Sequence, residues 1–384
     1  MKFVLAPDSF KESMSAVEAA AAMSRGIRAV LPDAECVEVP MADGGEGFTE
    51  ALAEALGAEL VTTTVRDAIG RDIEAVFAHH ASDDLSVIEV AAAVGLGRIG
   101  ADERDIMRSS SYGVGQLITA ALERGARRLI VGLGGSATND GGAGMLRALG
   151  ARFLTADRRD LDGTPAQLRD LACLELSDLD PRLAQTTIEV ASDVTNPLLG
   201  PGGASATFGP QKGASSDQVR ELDSILATFA RVAGHDGPGG LAQQAGAGAA
   251  GGLGYAFLAF LGARMAPGVE LVAEVTGLAD KVAGADFVFT GEGSIDAQTV
   301  LGKTPYGVAR VAAAAGVSTI GFAGRIGDGA EALYDHGFLA LVPIVPGVVD
   351  LPTALADGPE NLQHATETVC RLLTASRGTV RRTV

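Results

Sequence analysis

The chain has 384 residues, 47% of them hydrophobic, enough for about two domains with buried cores. A net charge of −18 at pH 7 excludes nucleic acid and an anionic membrane as main partners, because such surfaces repel an acidic protein. The 51 glycines are clustered rather than periodic, which excludes collagen, and Cys36, Cys173 and Cys370 have neither metal-ligand spacing nor an even disulfide count, which suits a reducing cytoplasm.

The apolar run Phe3 to Ala6 stops at Pro7, too short for a secretory signal, and reads as a buried strand. Asp8, Ser9 and Lys11 follow it. Ser15 and Glu18 then form a capping box, and Val17, Ala20, Ala21, Ile27, Val30 and Leu31 give a helical stripe. These polar groups therefore sit at the C-terminal end of a strand, where open α/β sheets bind ligands. A second strand, Cys36 to Val39, runs into Asp43, Gly44, Gly45 and Glu46 before a helix from Phe48 to Leu56. Asp43 and Glu46 are candidates for Mg²⁺ or a substrate hydroxyl; first-turn helix acids are the competing account.

From Leu60 to Val90 the texture changes to short β-type runs, Leu60–Val65, Ile73–Phe77 and Val87–Glu89, with His79 and His80 as exposed strand-end histidines. Arg108 to Leu122 is helical and feeds the run Leu129–Val131. There the chain reads LIVGLGGSATNDGGAGM, a strand, a glycine loop (Gly132, Gly134, Gly135, Ser136, Asn139) and a helix start. Glycine lets backbone amides approach an anion, so this loop is expected to cradle phosphoryl or carboxylate oxygens, with Asp140 able to hold Mg²⁺ beside them. Ala151 to Leu183 is polar and irregular.

Thr187 to Val190 is a strand that ends at Asp193 and Asn196, both good metal or hydroxyl ligands, with an Asx turn before Pro197 as the alternative. Gly200 to Gly213 is loop-like and carries Lys212; Gln218 to Val232 is an amphipathic helix. Gly237 to Ala263 has no charged residue, but its Gly/Ala content is too weakly apolar to span a bilayer, and Gly246 to Leu261 reads as a buried helix. A short helix is expected over Val272 to Lys281. Phe287 to Phe289 is a strand leading to Glu292 and Asp296, then to AQTVLGKT, which nearly matches a P-loop, with Ala297 where glycine belongs. A true P-loop follows its strand directly, so a Walker fold is rejected and Lys303 is kept as a phosphate contact. Pro305 starts a helix, and Ser318–Phe322, Leu339–Val342 and a helix over Asn361–Leu373 complete an alternating β/α tail.

Lysine occurs only at Lys2, Lys11, Lys212, Lys281 and Lys303, and three of these lie in polar-glycine clusters. Carboxylates, lysines and amide-rich loops are the parts of Mg²⁺-nucleotide phosphoryl transfer. There is no G-x-S-x-G elbow, zinc spacing or dinucleotide fingerprint. The segments APDSFKESMSA, PMADGGEGF, GLGGSATNDGGAGM, SDVTNPLLGPGGAS, FGPQKGA, GAAGGLG and TGEGSIDAQTVLGKTPYGVA, in this order, resemble the bacterial glycerate kinase family over nearly the whole chain. Glu12 stands where that family usually has Gly, and Phe48 where Thr is usual.

The resemblance implies ATP-dependent phosphorylation of D-glycerate with Mg²⁺, usually to 2-phosphoglycerate. It also implies two α/β domains with the active site in a cleft between them. One is a flavodoxin-like parallel sheet built from residues 1–65 and 275–384; the other is an inserted mixed α/β, restriction-enzyme-like domain over 66–274. In this reading Lys11, Lys212 and Lys303 neutralise phosphate or the glycerate carboxylate. Asp193 and Asp43 divide the duties of metal ligand and base, with Glu292 and Asp296 as second choices. Asp8, Ser9, Gly44, Gly45, Gly134, Gly135, Ser136, Asn139 and Asn196 bind substrate or phosphate. The expected partners are D-glycerate and ATP, with oligomeric state open. Another Mg²⁺-dependent phosphotransferase or phosphatase acting on a small hydroxy acid is the alternative activity, and a non-catalytic nucleotide-binding regulator is the alternative class.

Overall fold

A computed structural model describes residues 1–45, 47–234 and 240–379. Glu46, and residues 237–239 of the Gly/Ala segment, lie outside the described residues. The chain divides into two compact units. The first comprises Met1–Asp43, Glu50–Leu56 and the chain from Val269; the second comprises Gly44–Thr49 and Gly57–Gly268.

The first unit is a five-stranded sheet, parallel throughout, in the order Phe338–Pro343, Thr319–Ile326, Phe287–Ile295, Lys2–Leu5, Glu35–Glu38. In sequence terms this is the flavodoxin-like order, in which the second strand is added on one side of the first and all later strands on the other. Phe3, Leu5, Phe289 and Phe322 are fully or almost fully buried, as a sheet covered on both faces requires. The Ala16–Val30 helix begins at the expected Ser15–Glu18 capping box. It packs against the Gly358–Thr379 helix so closely that a Cβ on Gly26 would stand 2.5 Å from the Gln363 carbonyl oxygen.

The second unit carries a six-stranded mixed sheet in the order Arg264–Ala266, Thr187–Ala191, Arg128–Gly132, Leu85–Glu89, Asp72–His80, Glu59–Arg66. The first four strands are parallel, and the last two add antiparallel at one edge. The sequence reading kept residues 57–65 with the first unit. The Glu59–Arg66 strand instead pairs along its whole length with Asp72–His80, so it lies in the second unit's sheet.

Four further expectations are corrected. Ala151–Leu183 contains a small antiparallel sheet of Asp160–Leu161, Arg152–Leu154 and Cys173–Glu175, strands too short to show periodicity. Gly200–Gly213 is not all loop: it holds a helix, Ala204–Phe208, and a 3₁₀ turn, Pro210–Lys212. His79 is buried rather than exposed, with Nδ1 2.9 Å from Ser86 Oγ. The Val272–Lys281 helix is two, Gly268–Val275 and Leu278–Val282, broken at Gly277 with φ of 64°. Among the described residues no helix is long and apolar enough to cross a membrane.

Candidate active site

In the first unit the site forms where the sheet order reverses, between Lys2–Leu5 and Phe287–Ile295. Loops leave two such neighbouring strands in opposite directions and open a crevice at their C-terminal ends. The Phe287–Ile295 strand is longer than its apolar run suggests. Thr290, Glu292 and Ser294 alternate with glycines, and pairing with Thr319–Ile326 continues to Ile295 opposite Ile326. Glu292 is therefore held on a strand rather than on a loop.

Asp8 follows the first strand. Its Oδ2 accepts a hydrogen bond from Thr304 Oγ1, and its Oδ1 accepts one from the Ser9 amide at 2.6 Å. Its own amide donates to the Gly291 carbonyl at 2.8 Å, which ties the loop to the Glu292 strand. Burial, reinforced by the negative charges of Asp43 and Glu292, pushes the Asp8 carboxyl up to about 7 against the pull of Thr304 and Ser9. Burial also pushes Glu292 up, with Asp43 adding to it, although Lys303 and Thr299 oppose the shift. Lys303 Nζ stands 3.4 Å from Glu292 Oε1 and 3.3 Å from the Ser294 carbonyl oxygen, while Thr299 Oγ1 donates to Glu292 Oε1 at 3.0 Å. Three electrostatically coupled carboxylates thus share the crevice with one partly exposed lysine.

Lys303 and Thr304 are placed by the start of the Thr304–Ala314 helix, which has Pro305 in its first turn as expected. Asp296 lies at the far end of the same strand, with Oδ1 accepting from the Gln298 amide at 2.8 Å. Lys11 is exposed at the tip of a tight turn closed by Phe10 and Met14. In that turn Glu12 has φ of 63°, a left-handed conformation that favours glycine. The departure noticed in the sequence therefore falls where the backbone wants the family's usual residue.

In the second unit the Gly132–Gly144 loop is spent largely on its own fold. The amides of Gly134, Ala137 and Gly141 donate to the carbonyls of Gly44, Val94 and Gly251, and those of Gly142 and Gly144 donate to Asp140. Asp140 also accepts from the amide and hydroxyl of Ser111 at 2.7 and 2.8 Å and is fully buried. It organises the loop and is not placed to hold Mg²⁺, which corrects that expectation. Gly44, Gly45 and Gly134 serve close approach: a Cβ on Gly134 would lie 2.6 Å from Gly45 Cα. Gly135, with φ of 70°, takes the turn.

Lys212 is 3% exposed. Its Nζ donates to Thr138 O at 2.7 Å and to Ser136 Oγ at 3.0 Å, and burial lowers its pKa to about 7 although the Asp140 charge opposes this. Asn139 donates through Nδ2 to Ser205 Oγ at 3.0 Å, and Asn196 through Nδ2 to the Gly202 carbonyl at 2.7 Å. Asp193 is exposed at the end of the Thr187–Ala191 strand, with Oδ1 accepting from the Gly268 amide at 3.0 Å.

The structure thus groups Asp8, Ser9, Asp43, Glu292 and Lys303 in the first unit, and Ser136, Asn139 and Lys212 in the second. Thr304 and Thr299 were missed; Thr304 was visible only as the threonine of the near P-loop. Among the described residues no three His, Cys, Asp or Glu side chains stand close enough to cage a metal ion. Mg²⁺ in nucleotide sites needs only one or two carboxylates, because phosphates and water complete its octahedron. Asp43, whose charge raises the proton affinity of both Asp8 and Glu292, fits that demand together with them.

Comparison with known proteins shows the family. Residues 3–374 match the model of the Glycerate kinase family. A glycerate kinase of Halalkalibacterium halodurans is 44% identical over 95% of this chain and 96% of its own. A glycerate 2-kinase of Escherichia coli strain K12 is 42% identical over 97% of this chain and 98% of its own. A crystal structure from Salmonella typhimurium LT2, assigned to a glycerate kinase 2, superposes with a TM-score of 0.88 at 42% identity, covering 98% of this chain and 99% of that one.

Proposed function

Since the chain belongs to the glycerate kinase family and is an enzyme that phosphorylates glycerate, we propose that it transfers the terminal phosphoryl group of ATP to D-glycerate, giving 2-phosphoglycerate, with Mg²⁺. The observation that carries the reading is the crevice holding Asp8, Asp43, Glu292 and Lys303 at the sheet's reversal point. Phosphoryl transfer asks a protein for positioning and charge stabilisation rather than covalent chemistry. Mg²⁺ held there by Asp43 would supply positive charge to neutralise the charge that develops on the transferred phosphoryl group.

Asp43 is the metal ligand from this unit, with Asp296 as a second choice, and Asp193 is the carboxylate that the second unit contributes to metal or base duty. Asp8 is poised to accept the proton of the attacking hydroxyl, because a base works best with a pKa near the working pH. Lys303, held loosely by Glu292 and Ser294, can move to a phosphate oxygen, and Lys11 adds charge from its exposed turn.

The test incubates the protein with ATP, Mg²⁺ and D-glycerate and follows the product by phosphorus NMR. A signal at the 2-phosphoester with matching ADP supports the reading; a 3-phosphoester corrects the position, and no ADP overturns it. Release of inorganic phosphate from a phosphoglycerate, without need of ATP, would favour a phosphatase.

A further inference from the structure

A lysine ammonium carries three N–H donors and no acceptor. Lys212 spends two of them, on Thr138 O and Ser136 Oγ, and among the described residues no carboxylate pairs with it. Asp140 acts on it only through its charge, and an almost fully buried cation with no direct carboxylate partner is costly and needs a reason. The direction of the Ser136 bond supplies one. While Lys212 is protonated it can only donate, so Ser136 Oγ accepts, and the Ser136 O–H is left pointing elsewhere. No acceptor for it stands among the described residues, although Ser136 is only 5% exposed. A hydroxyl that accepts from a cation is a stronger donor in its turn, since hydrogen bonds in a low-dielectric setting polarise one another.

The surroundings fix this hydroxyl in place. Ala137 donates its amide to Val94 O and Leu96 donates to Gly135 O, which clamps both sides of Ser136. Lys212 itself is held at the end of the Pro210–Lys212 turn, far from Ser136 in sequence.

Resting on the kinase reading, we propose that Ser136 donates its O–H to an anionic oxygen of a substrate, and that Lys212 is a positioning residue that charges this donor from behind without touching the substrate. The anionic oxygen belongs either to the glycerate carboxylate or to a phosphate of ATP. This chemistry differs from direct charge neutralisation by Lys212, the role the sequence suggested.

The experiment compares the full-length wild type with S136A, K212M and the double variant, measuring kcat and KM for D-glycerate and for ATP separately. Activity of the wild type on D-glycerate tests the kinase reading independently of the variants. Loss of a charge-assisted hydrogen bond raises KM roughly tenfold or more. A rise in KM for D-glycerate alone in S136A assigns the carboxylate; a rise for ATP alone assigns a phosphate; unchanged KM for both overturns the proposal. If Lys212 acts through Ser136, adding K212M to S136A changes KM little further, whereas multiplied effects overturn the relay. Should K212M fail to fold, S136A and K212R, the fold of the latter checked by circular dichroism, decide: K212R must keep KM within a few-fold of wild type while S136A does not, and S136A alone decides if K212R also fails to fold.

Discussion

Thr304 and Asp8 lie 296 positions apart in sequence, yet the threonine hydroxyl donates to the Asp8 carboxylate at the mouth of the first unit's sheet. The bond favours the ionised acid and opposes the burial that pushes Asp8 toward neutrality. Replacing Thr304 with Val keeps the shape and removes the donor. The proton affinity of Asp8 then rises, so less of it is ionised at pH 6 while almost all remains ionised well above pH 8. The acidic limb of the kcat/KM profile should move to higher pH in Thr304→Val and stay near the wild-type position in Thr304→Ser. An unmoved limb in the valine variant removes Asp8 from the proton-accepting role.

The same carboxyl makes the fold pH-dependent. Its folded pKa, about 7, lies above the ordinary 3.8, so the folded state binds the proton more tightly. The stability this gives is present in full below about pH 4 and is lost as pH rises through about 7. Asp8→Asn removes the penalty of a buried charge. It should raise the melting temperature at pH 8, by a stability gain of at most about 4 kcal/mol, and leave it nearly unchanged at pH 4. A gain of equal size at both pH values would mean that the effect is not proton-linked.

What the sequence disclosed follows from what composition can encode. The Ser15–Glu18 capping box and Pro305 act through neighbours in the chain, so both were legible and both stand where expected. The glycines of the Gly132–Gly144 loop were legible as glycines, but a glycine that admits a ligand looks the same as one that admits another backbone. Gly134 turns out to meet Gly45, which only the fold could reveal. Asp140 and Asp193 are alike in sequence, each in a polar cluster after a strand. One is buried with four donors around it and the other is exposed, because burial depends on which segments return to cover a residue. Lys212 is the sharpest case: by sequence a cation that meets phosphate or the glycerate carboxylate, by structure a buried group held by Thr138 and Ser136.

Glu12 offers a test that concerns stability alone. At φ of 63° a non-glycine residue pays about 1–2 kcal/mol, and glycine's looser unfolded chain returns about 0.5–1 of that. Glu12→Gly should therefore stabilise the first unit by up to about 1 kcal/mol, seen as a higher midpoint in urea. Because Glu12 is exposed, loss of its side chain removes no packing. A lower midpoint would show that Glu12 makes a compensating interaction.

Two further glycines separate conformational strain from crowding. Gly57 and Gly251 have nearly the same φ, 66° and 69°. A Cβ on Gly57 meets nothing within 4 Å, whereas one on Gly251 would lie 1.9 Å from the Thr138 carbonyl oxygen and 2.8 Å from Asn139 Cα. Gly57→Ala should cost only the left-handed penalty, about 1 kcal/mol. Gly251→Ala must in addition displace the backbone carrying Thr138, whose carbonyl receives the Lys212 bond, and should cost more than about 3 kcal/mol. The displacement also moves Ser136 through the same clamp, so Gly251→Ala should lose activity at temperatures where it is still folded, while Gly57→Ala should not. Equal losses of stability in the two variants would show that the loop yields easily and that its glycines are there for backbone freedom rather than for close approach.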